Sequence, residues 1–193
     1  MELHGCLIAL FFIVFLSTTA CGQITATLRS GINYTHLENN DDQRLFEYLP
    51  YYGYHAGLGL IIPMSAHLYS HFEINLESRR LLRLYDRGRR EVESAYYGGV
   101  SWQFERVYSS FINPMLGIRA SFFGNSSKLN AYSDHEADIA INLAWTIYPL
   151  DRFGMQVRYL HGITDLNRGS EEIEYKSRIW EFVILLELDF SSR

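Results

Sequence analysis

The sequence predicts an all-β fold, an eight-stranded antiparallel up-and-down transmembrane β-barrel with short periplasmic turns and longer extracellular loops. Apolar residues recur at nearly every second position from Gln23 onward, which is typical of strands. Eight such segments follow one another, and their connections alternate between long polar stretches and tight turns. The chain has 14 Tyr, 12 Phe and 3 Trp, and many of these aromatic residues fall near segment ends, where the interfacial girdles of a membrane barrel lie.

The first four strands are recognised by the parity of their apolar residues. In the first strand, Ile24, Leu28 and Tyr34 share one parity, and the other parity carries mainly Thr, Gly and Asn. Polar residues at 38–44 follow this strand. The Arg-rich segment 79–90 is expected to form the long connection between the third and fourth strands. The four predicted strands are Ile24–Thr35, Tyr52–Ile62, Leu68–Arg79 and Tyr96–Glu105.

The remaining four strands repeat the pattern, and the last one shows it most fully. Every even position from Trp180 to Phe190 is large and apolar, whereas Glu181, Glu187 and Asp189 stand at odd positions. We expect this strand to pair with the first and close the sheet, which removes unpaired edges that lipid could not satisfy. The four predicted strands are Ile112–Phe122, Asp138–Ile147, Met155–Thr164 and Trp180–Phe190.

Alternation alone does not tell whether the apolar side faces inward, as in a soluble barrel, or outward. The polar side is rich in small residues and poor in Lys, which suits the narrow interior of an eight-stranded barrel better than a solvated exterior. We therefore place the apolar side against lipid. Isolated charges in the lumen would be costly, so they are expected to form Arg–carboxylate networks that plug it. The predicted lumenal residues are Arg29, Glu73, Glu77, Arg79, Glu105, Arg119, Asp138, Arg158, Glu181 and Glu187.

Residues 1–22 are predicted to be a signal peptide and 23–193 the barrel domain. The apolar run Cys6–Leu16 is too short to span a bilayer comfortably, and small residues follow it. The alternative is a lipoprotein in which Cys21 carries the lipid. No disulfide is expected in the mature chain, because both cysteines lie in or beside the signal. The predicted location is the bacterial outer membrane, and the formal net charge of −5 argues against nucleic-acid binding.

No catalytic residue, metal or cofactor is expected. Lipid A deacylases of similar size pair a His with a Ser in a His-x-Ser segment, and the sequence contains no such segment. His161 falls on the lipid-facing parity, and we assign it to interfacial packing. His67 and His71 share a parity, but four residues of strand separate them by about 13 Å, too far to bind one metal without other ligands.

The Arg-rich segment is the most distinctive feature outside the strand pattern. Its side chains could bind lipopolysaccharide phosphates or another anionic partner on the outer rim. The alternative is that they pair with acidic residues of other loops, at 41–42 and 171–172. The expected partners of the whole protein are outer-membrane lipid, lipopolysaccharide, the barrel-assembly machinery and an envelope protein. The candidate anion contacts are Arg83, Arg87, Arg89 and Arg90.

Short segments along the chain carry a resemblance to a known family. They are Ser30–Tyr34, Gly53–Gly57, Ile62–Pro63, Asn113–Gly117 and Arg158–Asp165, together with the last strand. In these the chain resembles the small PorT-like outer-membrane β-barrels of Bacteroidetes and, more distantly, OmpX-like barrels. We expect a structural or interaction protein that acts through its outer loops. The resemblance implies, as an alternative, an accessory role in secretion or envelope assembly, and a lipid-modifying enzyme is a further alternative.

Overall fold

The computed structural model describes residues 24–39, 46–85, 89–108, 112–126, 137–164 and 175–188. In that part of the chain eight antiparallel strands form one closed barrel, and each strand pairs with its neighbours in sequence. No helix among these residues is long and apolar enough to cross a membrane. The strands are β1 (Thr25–Asn39), β2 (Phe46–Ser65), β3 (Leu68–Tyr85), β4 (Arg90–Arg106), β5 (Asn113–Ser126), β6 (Ala137–Leu150), β7 (Phe153–Gly162) and β8 (Tyr175–Leu188).

The first and last strands close the barrel. They pair without interruption from Ala26 opposite Leu188 to Asn39 opposite Tyr175, which confirms the expected pairing. The closed sheet has no free edge, because every strand has a partner on both sides. The predicted last residue of β8, Phe190, lies outside the described residues.

The two ends of the barrel differ in their connections. The turn end carries the turns at 66–67 and 151–152, the end of β4 and the start of β5, together with the start of β1 and the end of β8. At the opposite, loop end, β2, β3 and β4 extend past the β1–β2 pairing, which stops at Thr35 opposite Tyr51. We call residues 46–50, 79–85 and 90–95 the projecting sheet.

The projecting sheet corrects the prediction for the Arg-rich segment. Residues 79–90 were expected to form a long connection, but β3 runs on to Tyr85 and β4 begins at Arg90. Side chains continue to alternate between the two faces of the sheet through this segment. Because many of them are charged, the sequence does not show this as an alternation of apolar and polar residues. A positive strand is tolerated here because Arg83 pairs with Glu93 of the neighbouring strand, at 3.0 Å between Nη1 and Oε1.

Side chains alternate between the two faces of the wall along every strand. In β4, outward-facing Tyr96 and Trp102 are 51% and 45% exposed, whereas inward-facing Tyr97 and Gln103 are 4% and 1% exposed. Most large outward side chains are apolar, so the apolar side faces outward, as the sequence analysis proposed. The barrel therefore inverts the arrangement of a soluble protein, with apolar groups outside and polar groups inside.

Aromatic side chains form a row near each end of the outer surface. Nearer the loop end, the ring centroids of Tyr34 and Tyr52 are 5.1 Å apart, and those of Tyr159 and Trp180 are 4.8 Å apart. Nearer the turn end, the rings of Trp102 and Phe104 lie 5.1 Å apart. Between the rows, no outward position of the described strands carries a charged side chain. The outer surface thus has an apolar band bounded by amphipathic rings, the pattern of a transmembrane barrel.

Candidate functional site

The centre of the barrel holds oppositely charged side chains from five strands. Arg119 of β5 donates two parallel hydrogen bonds to Glu181 of β8, at 2.6 Å (Nη1–Oε1) and 2.9 Å (Nη2–Oε2). Arg158 of β7 and Arg29 of β1 both bind Oε2 of Glu73 in β3, at 2.7 and 2.8 Å. None of these five residues is more than 1% exposed. Because the bonds join strands that are not neighbours, they brace opposite walls of the barrel against each other.

A second charged cluster lies nearer the loop end, around Arg79. Its guanidinium pairs with Glu77, at 2.6 Å between Nη2 and Oε1, and with Asp138. Ser121 donates a hydrogen bond to Glu77 and Ser177 donates one to Asp138, each at 2.8 Å. Each buried carboxylate thus receives hydrogen bonds from both a guanidinium and a hydroxyl, which offsets the cost of removing it from water.

Toward the turn end the network ends in a histidine. His71 lies 2.7 Å from Glu105 (Nε2–Oε2) and 3.0 Å from Arg29 (Nδ1–Nη2). The expected Arg partner of Glu105 is therefore a His. Glu187 also takes an inward position, opposite Thr27 of β1, but near the end of β8 it is only partly buried.

Like Nε of Arg119, His55 lacks complete hydrogen bonding in the central cluster. Its Nε2 lies 2.8 Å from Oε1 of Glu73 and its Nδ1 lies 3.6 Å from Oε1 of Glu181, but neither nitrogen has hydrogen-bond geometry. His55, Glu77 and Glu181 present potential metal ligands within 4.8 Å of one another. Both carboxylates already bind Arg119, so a metal ion would displace or face a guanidinium. The donor set thus favours ion pairing over metal binding.

Side chains close the lumen. Apolar residues from β1 to β5 pack into a cap at its loop end, beyond the charged clusters. Below the cap, a water-filled passage would leave the central arginines accessible, yet they are at most 1% exposed. The described part of the barrel therefore encloses no open aqueous channel, as expected for eight strands. The cap consists of Leu37, Tyr48, Leu81, Ala95 and Tyr97, with Phe123 packed against it.

Three of the four candidate anion-binding arginines lie in or beside the projecting sheet. Arg83 stacks over the rings of Tyr48 and Tyr85, with its guanidinium carbon 5.8 and 5.0 Å from their centroids. The side chain of Arg89 is 74% exposed and lies 3.8 Å from Glu91 (Nη2–Oε2). Arg90 is exposed as well. The acidic neighbours are thus on the adjacent strand β4. Arg87 and the predicted loop partners at 41–42 and 171–172 lie outside the described residues.

The histidines considered for catalysis or metal binding lie apart from one another. His67 is exposed in the turn between β2 and β3, whereas His71 is buried in the lumen. His161 is partly buried on the outer surface, and its ring centroid is 6.3 Å from that of Tyr159. Packing against the aromatic row accounts for this histidine.

Of the ten charged residues predicted to face the lumen, the structure buries nine to 3% exposure or less, and Glu187 is the exception. Sequence reasoning did not place His55, His71 or Glu93 among them, although all three are buried on inward positions. All three have odd numbers, and odd positions of β2, β3 and β4 face inward, so this parity could have identified them. Parity gives the face of the sheet, but it does not give the partner across the lumen.

A scan against protein-family models finds no match for the chain, and a search of curated proteins finds none either. Solved structures do match the fold. Neisserial surface protein A (NspA) covers 86% of this chain and 100% of its own, at 10% identity and a TM-score of 0.57. Ail, the attachment invasion locus protein of Yersinia pestis, in complex with the heparin analogue sucrose octasulfate, has the same identity and coverage and a TM-score of 0.50. Both are small eight-stranded outer-membrane β-barrels. The predicted fold class, an eight-stranded transmembrane β-barrel, is confirmed.

Proposed function

We propose that this chain is a bacterial outer-membrane protein that does not conduct solutes and acts as a structural or interaction protein through its loop end. The observation that carries this proposal is the closed interior, in which Arg29, Arg119 and Arg158 are at most 1% exposed and bound to carboxylates of other strands. A transport route through such a lumen would require several buried ion pairs to break. The apolar outer band between two aromatic rows supports insertion into a bilayer.

The difference between the ends of the barrel supports an orientation. Both described ends of the chain lie at the turn end, which we assign to the periplasm, and the projecting sheet then faces the exterior. Export through a signal peptide at 1–22 and insertion by the barrel-assembly machinery belong to this proposal. Arg90 of the projecting sheet and the preceding Arg89 are exposed cations, and Arg89 stacks over the aromatic ring of Tyr85. Such a surface is suited to an anionic partner, whether lipopolysaccharide or an envelope protein.

Membrane fractionation, gel mobility with and without boiling, and planar-bilayer recording test the core of the proposal. We expect the protein in the outer-membrane fraction, a faster-migrating unboiled form and no stepwise conductance. A soluble protein whose mobility is independent of boiling would refute the membrane barrel. Stable single-channel currents would refute the closed lumen and leave the barrel intact.

A pull-down from envelope extracts tests the interaction role, with and without residues 86–89, which connect β3 to β4. A partner lost on deletion would support an accessory role in secretion or envelope assembly, the alternative that the PorT-like resemblance implies. We propose that the chain has no enzyme activity. Lipid A of altered mass in a strain overexpressing the protein would contradict that and favour a lipid-modifying enzyme.

A further inference from the structure

A groove of about 710 Å³ crosses the outer surface near its loop end. The small residues Ala56 and Gly98 lie on either side of Leu76 in one cross-strand row and leave the space of the groove. In the next row toward the loop end, Tyr54 and Tyr96 stand on either side of Ser78. The groove is thus an apolar depression within the outward band, with two aromatic walls at its upper end. All six of these residues line it.

Ser78 at the upper end of the groove has an unsatisfied hydroxyl. It occupies an outward position, yet it is only 8% exposed because the two tyrosines cover its sides. Its Oγ has no hydrogen-bond partner. Buried hydroxyls are almost always bonded, so the Oγ of Ser78 is free to bond a polar group of a molecule in the groove.

Arg80 stands two residues beyond Ser78 on the same face of β3, against Tyr54, which lines the groove. Its guanidinium carbon lies 5.1 Å from the ring centroid of Tyr54, and its buried Nε has no hydrogen-bond partner. No carboxylate among the described residues forms an ion pair with it. Arg178 of β8 provides a contrast, because it also lies two residues beyond an aromatic residue of the row. Arg178 donates to Oε2 of Glu38 at 2.5 Å and to the carbonyl oxygen of Gly162 at 3.0 Å.

We propose that this groove binds an anionic phospholipid-type molecule, with the phosphate on Arg80, a head-group oxygen on Ser78 and an acyl chain over Ala56, Leu76 and Gly98. Arginine binds phosphate through paired N–H donors. From Arg80 to Leu76 the strand runs about 13 Å, at about 3.3 Å per residue. With a strand tilt of about 40° this is about 10 Å along the membrane normal, which lies within the half-thickness of the hydrocarbon layer, about 15 Å. The inference rests on the proposed location in a membrane, and it adds a defined lipid site to the general lipid contact of a barrel.

The test is native mass spectrometry of the full-length protein folded in detergent and titrated with phosphatidylglycerol or with diacylglycerol, which has the acyl chains but no phosphate. We expect one phosphatidylglycerol to be retained about tenfold more strongly than diacylglycerol, since a charge-assisted hydrogen bond to the phosphate is worth that factor or more. Arg80→Gln should remove this preference. Gly98→Leu should weaken both lipids, because it fills the groove. A Cβ at Gly98 would have only Leu76 Cδ2 near it, at 3.8 Å, so this variant is expected to fold.

Matched controls separate the site from ordinary lipid contact. Arg178→Gln removes an outward arginine that is already paired, and Ala26→Leu adds an outward leucine at the turn end, so both should bind like the unmodified protein. Equal losses in Arg80→Gln and Arg178→Gln would overturn the proposal. Full competition by inorganic phosphate, with Gly98→Leu unaffected, would also overturn it, because the site would then bind an anion without an acyl chain. A heat-modifiable, membrane-bound barrel that shows no lipid preference would refute only this inference, whereas a soluble protein would refute the proposed function.

Discussion

Arginines of the lumen and arginines of the loop end share a chemistry but differ in their surroundings. Arg119 is 1% exposed and makes a bidentate pair with Glu181. The side chain of Arg89 is 74% exposed and lies 3.8 Å from the nearest carboxylate oxygen of Glu91. The carboxylates around Arg119 are buried and cannot be hydrated, so they depend on its guanidinium. Exposure leaves the second one available to a partner, and its contribution to folding is small.

The interior network also determines how the strands are arranged. Its bonds link β5 to β8, β7 to β3 and β3 to β6, pairs of strands that share no backbone hydrogen bonds. A shift of one residue in any strand would turn its charged side chain toward lipid. We infer that the buried ion pairs select one register among the many that an alternating sequence permits.

The largest effect on folding is expected from adding a side chain where β1 and β8 are in close backbone contact. Gly31 faces inward in β1, and a Cβ there would lie 2.1 Å from the carbonyl oxygen of Phe182 in β8. Backbone atoms cannot move aside without opening the closing strand pair, so Gly31→Val should abolish the heat-modifiable form. Gly98→Val, on the outward face, is the matched control and should fold. Normal folding of Gly31→Val would contradict this account of the closure.

The next effect is expected from breaking the central ion pair. Arg119→Leu removes the bidentate partner of Glu181, whose remaining guanidinium, that of Arg158, lies 3.5 Å away. It also removes one of the two guanidinium partners of Glu77, and the free energy of unfolding should fall by about 3 kcal/mol. Urea titration in lipid vesicles, monitored by the fluorescence of the three tryptophans, measures this loss of unfolding free energy. Arg119→Leu combined with Glu181→Leu should be less destabilised than the sum of the single variants. A loss below about 1 kcal/mol would mean that the pair is dispensable.

A smaller effect is expected in the apolar cap. Leu81 is 2% exposed and packs in the cap with Tyr48 and Tyr97. Leu81→Ala should lower the free energy of unfolding by about 2–3 kcal/mol, because it leaves a cavity but no unpaired charge. Leu76→Ala is the outward control, since Leu76 is 70% exposed, and its effect in the same urea titration should be smaller. Equal losses would indicate that the cap is loosely packed.

The sequence was sufficient for the strand number, the closing pair and the face of most charged residues, because all three follow from a period of two. It was insufficient for the partners of those charges. Arg79 reaches Asp138 across the closed barrel, and Glu105 reaches His71 diagonally through the register of β3 and β4. A linear pattern contains neither the closure nor the register. The projecting sheet was also missed, since clustered arginines usually mark a solvated loop. Here Glu93 and the rings of Tyr48 and Tyr85 stabilise Arg83 on a strand.

The smallest effect on folding is expected at the tip of the projecting sheet. Arg89→Ser combined with Arg90→Ser removes two exposed cations, and the free energy of unfolding should change by less than about 0.5 kcal/mol. Capture of the folded barrel on immobilised lipopolysaccharide should weaken, and added salt should weaken capture of the unmodified protein similarly, because exposed charges are screened. Arg106→Ser, at the turn end, is the control for lost charge alone. Unchanged capture by the double variant would remove these arginines from the interaction surface, and a large loss of stability would mean that they belong with the interior arginines after all.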